Sequence, residues 1–306
     1  MTQLTVVTGK GGVGKTTIAV LLALRAARQG RRAVVVETGG ARTVPGWFGR
    51  ASRGYDVVDV APGVATLSVT PELAIEDFVV SRIKVRRLYQ LVFQNRVMAP
   101  LLQGVPGLGE LVQLGKAYAL AEERRPDGAP VWDHVIVDAP ATGHGLTMLA
   151  SPRLMMDLTS TGPFHDNAKL VHDAIADPAR TGIVLVSLPE ELPVSEAKEL
   201  WARLGPAREQ VRATVLNGLL PDPFGDATDW PAARSELRRL GDTAVDEAVE
   251  MTDEWAQRTA TQHRLRRELV ASIPVPLVGV PWSFARRLDR GVLEEMGAPL
   301  DALVLG

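Results

Sequence analysis

Nine residues near the start of the chain, Gly9-Lys10-Gly11-Gly12-Val13-Gly14-Lys15-Thr16-Thr17, combine four glycines, two lysines and two threonines. Glycines in such a run let backbone N–H groups converge on phosphate oxygens, and a helix N-terminus behind them adds favourable potential for anions. The spacing matches G-x-x-x-x-G-K-[ST], in which Lys15 would reach β- and γ-phosphates and the Thr16 hydroxyl would complete a magnesium shell. A second acidic element fits the same chemistry. Asp138 closes the apolar run His134-Val135-Ile136-Val137 and precedes Ala139-Pro140-Ala141-Thr142-Gly143-His144-Gly145. A carboxylate at a strand end facing a phosphate loop is placed to hold magnesium, and the glycine-bearing segment after it is free to move when a γ-phosphate leaves. The expected ligands are ATP and Mg²⁺.

These groups must be held by a strand and a helix, and the flanking residues supply both. Leu4 to Thr8 reads as a short buried strand. From Gly14 to about Gln29 the apolar residues Ile18, Leu21, Leu22 and Leu24 recur at helical spacing and stop at Gly30. Ala33 to Glu37 is the next strand, and further apolar runs follow at His134–Asp138, Gly182–Leu188, Ala213–Leu219 and Pro276–Pro281. Alternating strands and helices predict an α/β fold, a doubly wound, mostly parallel sheet of the P-loop NTPase type. Two stretches exceed that rhythm, a helical insertion over about 74–123, broken at Gly104–Gly107, and a second helical segment over about 226–271. Both are expected to be insertions on a single domain spanning 1–306.

Composition narrows the function classes. A chain of 306 residues with 46% hydrophobic content can bury a large core. A net charge of −2 speaks against a nucleic-acid binder. The absence of cysteine removes disulfides, thiolate zinc sites, iron–sulfur clusters and cysteine nucleophiles. No apolar run reaches the length of a transmembrane segment and no signal-peptide pattern opens the chain, so a cytoplasmic location is expected.

Lys10 adds a lysine that the basic motif does not require. K-G-G-x-G-K-[ST] resembles the deviant Walker A loop of ATPases that work as nucleotide-sandwich dimers. Asp138-Ala-Pro-Ala-Thr-Gly-His-Gly-Leu resembles the second switch of the arsenite-pump ATPase and of its relative that targets tail-anchored membrane proteins. Pro106-Gly107-Leu108-Gly109-Glu110-Leu111, Leu188-Pro189-Glu190-Glu191-Leu192-Pro193-Val194-Ser195-Glu196, Val215-Leu216-Asn217 and Val280-Pro281-Trp282 resemble further elements of that family, in order. The chain is most similar to its bacterial, ArsA-like branch.

The resemblance implies phosphate contacts from Gly11, Gly12, Val13, Gly14, Lys15, Thr16 and Thr17. It implies magnesium contacts from Thr16 and, through water, Asp138. Adenine recognition falls to Asn217, with Pro281 and Trp282 in the adenine-side loop. Glu190 would touch nucleotide, unless it caps the helix that follows. Lys10, Lys15 and Asp138 would carry catalysis, with Lys10 crossing to a partner's nucleotide. The implied assembly is a homodimer, or a heterodimer with a homologous ATPase, and the implied cargo is a hydrophobic client or membrane-protein partner. Residues 78–102, rich in apolar side chains, form either that client groove or a helical pair packed on the core.

Two departures shape the expectation. Aligned on Phe48-Gly49, Gly39 stands where the family's first switch carries the aspartate that orients the attacking water; Glu37 lies two residues earlier. Hydrolysis is therefore expected to be slow, unless Glu37 substitutes. Without cysteine, neither thiol capture of arsenite nor a zinc-clasped dimer is possible. Two alternatives stand beside the client-coupled ATPase: an ATP-binding regulatory subunit with little hydrolysis, and a MinD- or ParA-like positioning ATPase.

Overall fold

The computed structural model describes residues 2–39, 42–52, 54–83, 104–222 and 230–303, and only the backbone of 81–83 and 142–144. Most of the segment 78–102 singled out above therefore lies outside the described residues, as does the start of the one at 226–271.

One eight-stranded sheet organises the described chain, in the order β3-β4-β2-β5-β1-β6-β7-β8. The strands are β1 (Gln3–Gly9), β2 (Ala33–Glu37), β3 (Val58–Ala61), β4 (Val64–Ser68), β5 (His134–Asp138), β6 (Thr181–Ser187), β7 (Val211–Leu219) and β8 (Leu277–Pro281). All neighbours pair in parallel except β3 and β4, an antiparallel hairpin at one edge. The central strands are buried along their whole length, so they read as continuous apolar runs.

Alternate residues of those strands feed two cores. Val6, Val34, Val36, Val135 and Val137 face one cluster, while Val7, Val35 and Ile136 face the other. The second cluster is closed by helix α1 (Lys15–Arg28), whose Ile18, Leu21 and Leu22 are fully buried. The first is covered by helices that include α4 (Leu108–Glu122), which starts just past the expected break at Gly104–Gly107. Short helix α2 (Val44–Trp47) and helix α3 (Pro71–Ile83) lie between β2 and α4 in the chain, α5 (Thr142–Leu158) and α6 (Pro163–Ala176) between β5 and β6, and α8 (Trp230–Arg238) after β7.

The parallel strands end on one edge of the sheet, and the connections there diverge: the one after β1 runs to β2 on one side, whereas the one after β5 passes β1 to reach β6 on the other. Such a crevice at the carboxyl ends of strands is where open α/β sheets bind ligands.

Candidate nucleotide site

β1 runs into the glycine loop and α1 starts at Lys15, immediately after it. Gly14 has a left-handed backbone with φ 87°, and a Cβ there would sit 2.3 Å from Asn217 Nδ2. Only glycine allows that approach, and it lets Asn217, near the end of β7, donate to the carbonyl of Val13 at 2.9 Å. The expected adenine-side asparagine is thus tied to the phosphate loop.

Lys15 bends back over its own loop and donates to the carbonyl of Lys10 at 2.8 Å. Burial lowers its pKa, and the nearby Asp138 carboxylate opposes the shift. The β1–β5 pairing sets Asp138 opposite Val7, two residues before the loop. The Thr16 hydroxyl donates to Asp138 Oδ2 at 2.5 Å. The other oxygen, Oδ1, is buried with no partner. Burial pushes the Asp138 carboxyl up to about 6; the Thr16 bond and Lys15 pull it down, and Glu37 pushes it up. Lys15, Thr16 and Asp138 are thereby gathered at one point, with an unmatched carboxylate oxygen beside a hydroxyl. Two such hard oxygens suit magnesium, so the residues present fit that ion.

The first switch differs from its sequence expectation in a specific way. Glu37 is buried and fully engaged: Oε1 accepts from the Thr43 amide at 2.9 Å, the Thr43 hydroxyl at 3.2 Å and the Val44 amide at 3.3 Å, and Oε2 accepts from Thr66 Oγ1 at 3.1 Å. Its carboxylate fastens the start of α2 rather than standing free to orient water. At Gly39 a Cβ would meet nothing within 4 Å. One residue earlier, Thr38 donates its hydroxyl to the Asp138 carbonyl at 2.6 Å. Gln113, buried on α4, donates to the carbonyls of Thr38 at 2.9 Å and Val69 at 2.7 Å. The last helix of the expected 74–123 insertion is therefore bonded to the first switch.

Lys10 forms an ion pair with Glu196 at 3.1 Å, and both are partly exposed. Glu196 lies on α7 (Glu191–Arg203), and sequence reasoning gave it no role beyond membership of an element. The signal was its place in that element; the contact itself needs the fold. Glu190 precedes α7 without making a side-chain cap bond, so the capping alternative is not used.

Glu190 and Trp282 instead line a groove of about 1150 Å³, which Gly218, the residue after Asn217, also borders. Pro281 ends β8, and the Trp282 amide that follows donates to the Leu219 carbonyl at 2.8 Å. The outer wall of the groove comes from a long helix, α9 (Thr243–Ser272), which sequence reasoning placed in the second helical segment without a site role. Its Trp255 stacks on Phe284 with ring centroids 6.1 Å apart and donates Nε1–H to the Pro221 carbonyl at 2.8 Å. α9 is further clamped to the exit of β7 by Gln262, which accepts from the Leu220 amide at 3.2 Å. Ion pairs Lys198–Glu268 and Arg264–Glu191 join α9 to α7.

Comparison with known proteins bears on this geometry. The model of the anion-transporting ATPase family matches residues 2–161. The chain is 29% identical to the ATPase BagA of Mycobacterium tuberculosis, with 97% of this chain and 92% of the relative covered. It is 25% identical to ATPase GET3B of Arabidopsis thaliana over 76% of this chain and 68% of that one. An arsenical pump-driving ATPase of Escherichia coli is also 25% identical, over 70% of this chain but only 39% of the pump protein. Among the described residues, no helix is long and apolar enough to cross a membrane.

Proposed function

This chain belongs to the anion-transporting ATPase family, and from that premise we propose that it binds Mg-ATP, dimerises around it in the cytoplasm, and couples its nucleotide state to a protein partner or client. The observation that carries this reading is the cluster of Lys15, Thr16 and Asp138, with Asp138 Oδ1 buried and unmatched. Thr16 and Asp138 would hold magnesium, which when bound offsets charge on the phosphates. Lys15 exchanges the Lys10 carbonyl for phosphate oxygens, a stronger, charge-assisted bond. Amides of the loop and of the first turn of α1 contribute donors without helical acceptors. Asn217 would hold the base side of the loop, and Glu190 and Trp282, which line the groove next to Asn217, would contact the base together with Pro281 at the end of β8.

Two bonded paths support coupling. Gln113 links the first switch to α4, the last helix of the 74–123 insertion, and the Lys10–Glu196 pair links the loop to α7 and, through it, α9. Calorimetric titration with Mg-ATP tests the site. Wild type should bind and Lys15→Ala should not; equal affinity would sink the assignment.

A second reading, an ATP-binding subunit that depends on a homologous ATPase for hydrolysis, is favoured by one feature. Gly39 carries no side chain and Glu37 is committed to α2, so the pair supplies no free carboxylate to orient water.

A further inference from the structure

At the opposite ends of the strands from the glycine loop, where β2, β4 and β5 begin, lies a second cavity of about 750 Å³. That volume is within the range of sites for small organic ligands. Its walls bring together three guanidinium groups, Arg32, Arg50 and Arg290, and three aromatic rings, Trp47, Phe48 and Trp132.

The base of the cavity is rigid. Arg32 is locked by its backbone: its amide donates to Asp133 Oδ2 at 2.8 Å, and its carbonyl accepts from the amides of Asp133 at 2.8 Å and His134 at 3.1 Å. Its guanidinium lies 4.8 Å from the centroid of the Trp132 ring, a cation–π contact that leaves the guanidinium edges free to donate. One side wall is also fixed. After α2 the backbone turns at Gly49, with φ 63°, and the turn closes through Gly49 N to Gly46 O at 3.2 Å and Arg50 N to Pro45 O at 2.9 Å. This paired closure ends the helix and delivers Arg50 to the cavity.

Charge is incompletely balanced there. Arg290 is paired with Glu294 at 2.7 Å. Asp289 caps its own helix, accepting from the Val292 amide at 3.0 Å. Asp59 also lines the cavity. Among the described residues neither Arg32 nor Arg50 has a carboxylate within ion-pair distance. Flat apolar faces combined with planar, unpaired cationic forks match one ligand chemistry, a ring system carrying an anionic head.

We propose that this cavity binds a small planar organic anion, an aromatic ring with a carboxylate- or phosphate-type head, between the Trp132–Arg32 base and the Trp47–Arg50 wall. The site does not depend on the nucleotide reading. It does adjoin it, because α2 carries the Trp47–Arg50 wall at one end and is fastened to Glu37 at the other. An occupant that holds this wall restrains the segment joined to the first switch.

The test is a titration of the full-length protein with 2-naphthoate, followed by naphthoate fluorescence and checked by equilibrium dialysis. The expected result is saturable binding of one equivalent, with naphthalene-2-methanol, the same ring without charge, about tenfold weaker or worse. Arg50→Gln should weaken naphthoate binding about tenfold or more, while Arg153→Gln, at an exposed position that does not line the cavity, should not change it. Arg50 is exposed, so its variant is expected to keep the wild-type melting temperature and carries the decision; Arg32→Gln, which also loses its stacking on Trp132, serves as the second variant. Absence of saturable binding by wild type, equal affinity for the neutral analogue, or wild-type affinity in Arg50→Gln would each overturn the proposal.

Discussion

Replacing Asp138 with asparagine should make the nucleotide-free protein more stable while removing its response to magnesium. The carboxyl is pushed from 3.8 up to about 6, chiefly by burial. At about 1.4 kcal/mol per pH unit, that lift corresponds to about 3 kcal/mol of cost when the group is ionised. The sign follows from proton counting. Between about pH 4 and pH 6 the folded state holds the proton more tightly than the unfolded chain, so this group's contribution is fully present below 4 and lost as pH rises through 6. Asparagine keeps an acceptor for Thr16 but loses a charge-assisted bond worth roughly 1–2 kcal/mol. A net gain of about 1–2 kcal/mol at pH 7.5 remains, or roughly 2–3 °C in melting temperature for a chain of this size. The variant's advantage should shrink by about 1.4 kcal/mol between pH 7.5 and pH 5, because wild type regains its proton there. Thermal melts at both pH values, with and without Mg-ATP, make the measurement. An Asp138→Asn protein less stable than wild type at pH 7.5, or one whose offset ignores pH, would refute the reasoning.

Three further outcomes can be checked. Wild type alone should hydrolyse ATP slowly, and Gly39→Asp, whose Cβ enters open space, should raise phosphate release by a factor on the order of 10²; brisk wild-type turnover abolished by Glu37→Gln, with melting unchanged, would instead make Glu37 the water-orienting group. Lys10→Ala should leave single-subunit binding intact but weaken ATP-dependent association, and Glu196→Gln, which frees Lys10 from its ion pair, should strengthen association; sedimentation with a non-hydrolysable analogue, showing no difference among the three proteins, would end the sandwich-dimer reading. Burial lowers the pKa of His134 to about 3, and its Nε2 lies 2.7 Å from Thr5 Oγ1; the unfolded chain therefore binds the extra proton below about pH 6.5, and stability should fall between there and pH 3 by at most about 1.4 kcal/mol per unit. Denaturation of His134→Gln should show a flatter acid limb, and an unchanged limb would count against that assignment.

How much of this was legible in the sequence depended on the range of the interaction. The buried parallel strands were readable because burial on both faces leaves continuous apolar runs such as Val34-Val35-Val36. The loop was readable because its chemistry is local. The β3–β4 hairpin was missed, although Pro62-Gly63 marks its turn, because Val58-Asp59-Val60-Ala61 is too short to signal a strand alone. The bonds that hold Glu37 were not legible because its partners, Thr43, Val44 and Thr66, are brought to it by a turn and by a neighbouring strand. The Lys10–Glu196 pair and the α9 wall of the groove join residues far apart in the chain, and no period or motif encodes such distances.

The long helix α9 also has a mechanical meaning. Its buried residues Gln262, Leu265 and Leu269 and its bonds to the exit of β7 hold the C-terminal half, whereas of the residues from Thr243 to Trp255 only Val249 is buried. Beyond Trp255 about 12 residues extend, roughly 18 Å at 1.5 Å per residue. With Trp255 as fulcrum, a tilt of about 10° swings the far end through about 3 Å by that geometry. A shift where Gln262 meets the exit of β7, roughly 10 Å along the helix from that fulcrum, would therefore arrive at Thr243 as a displacement nearly twice its size.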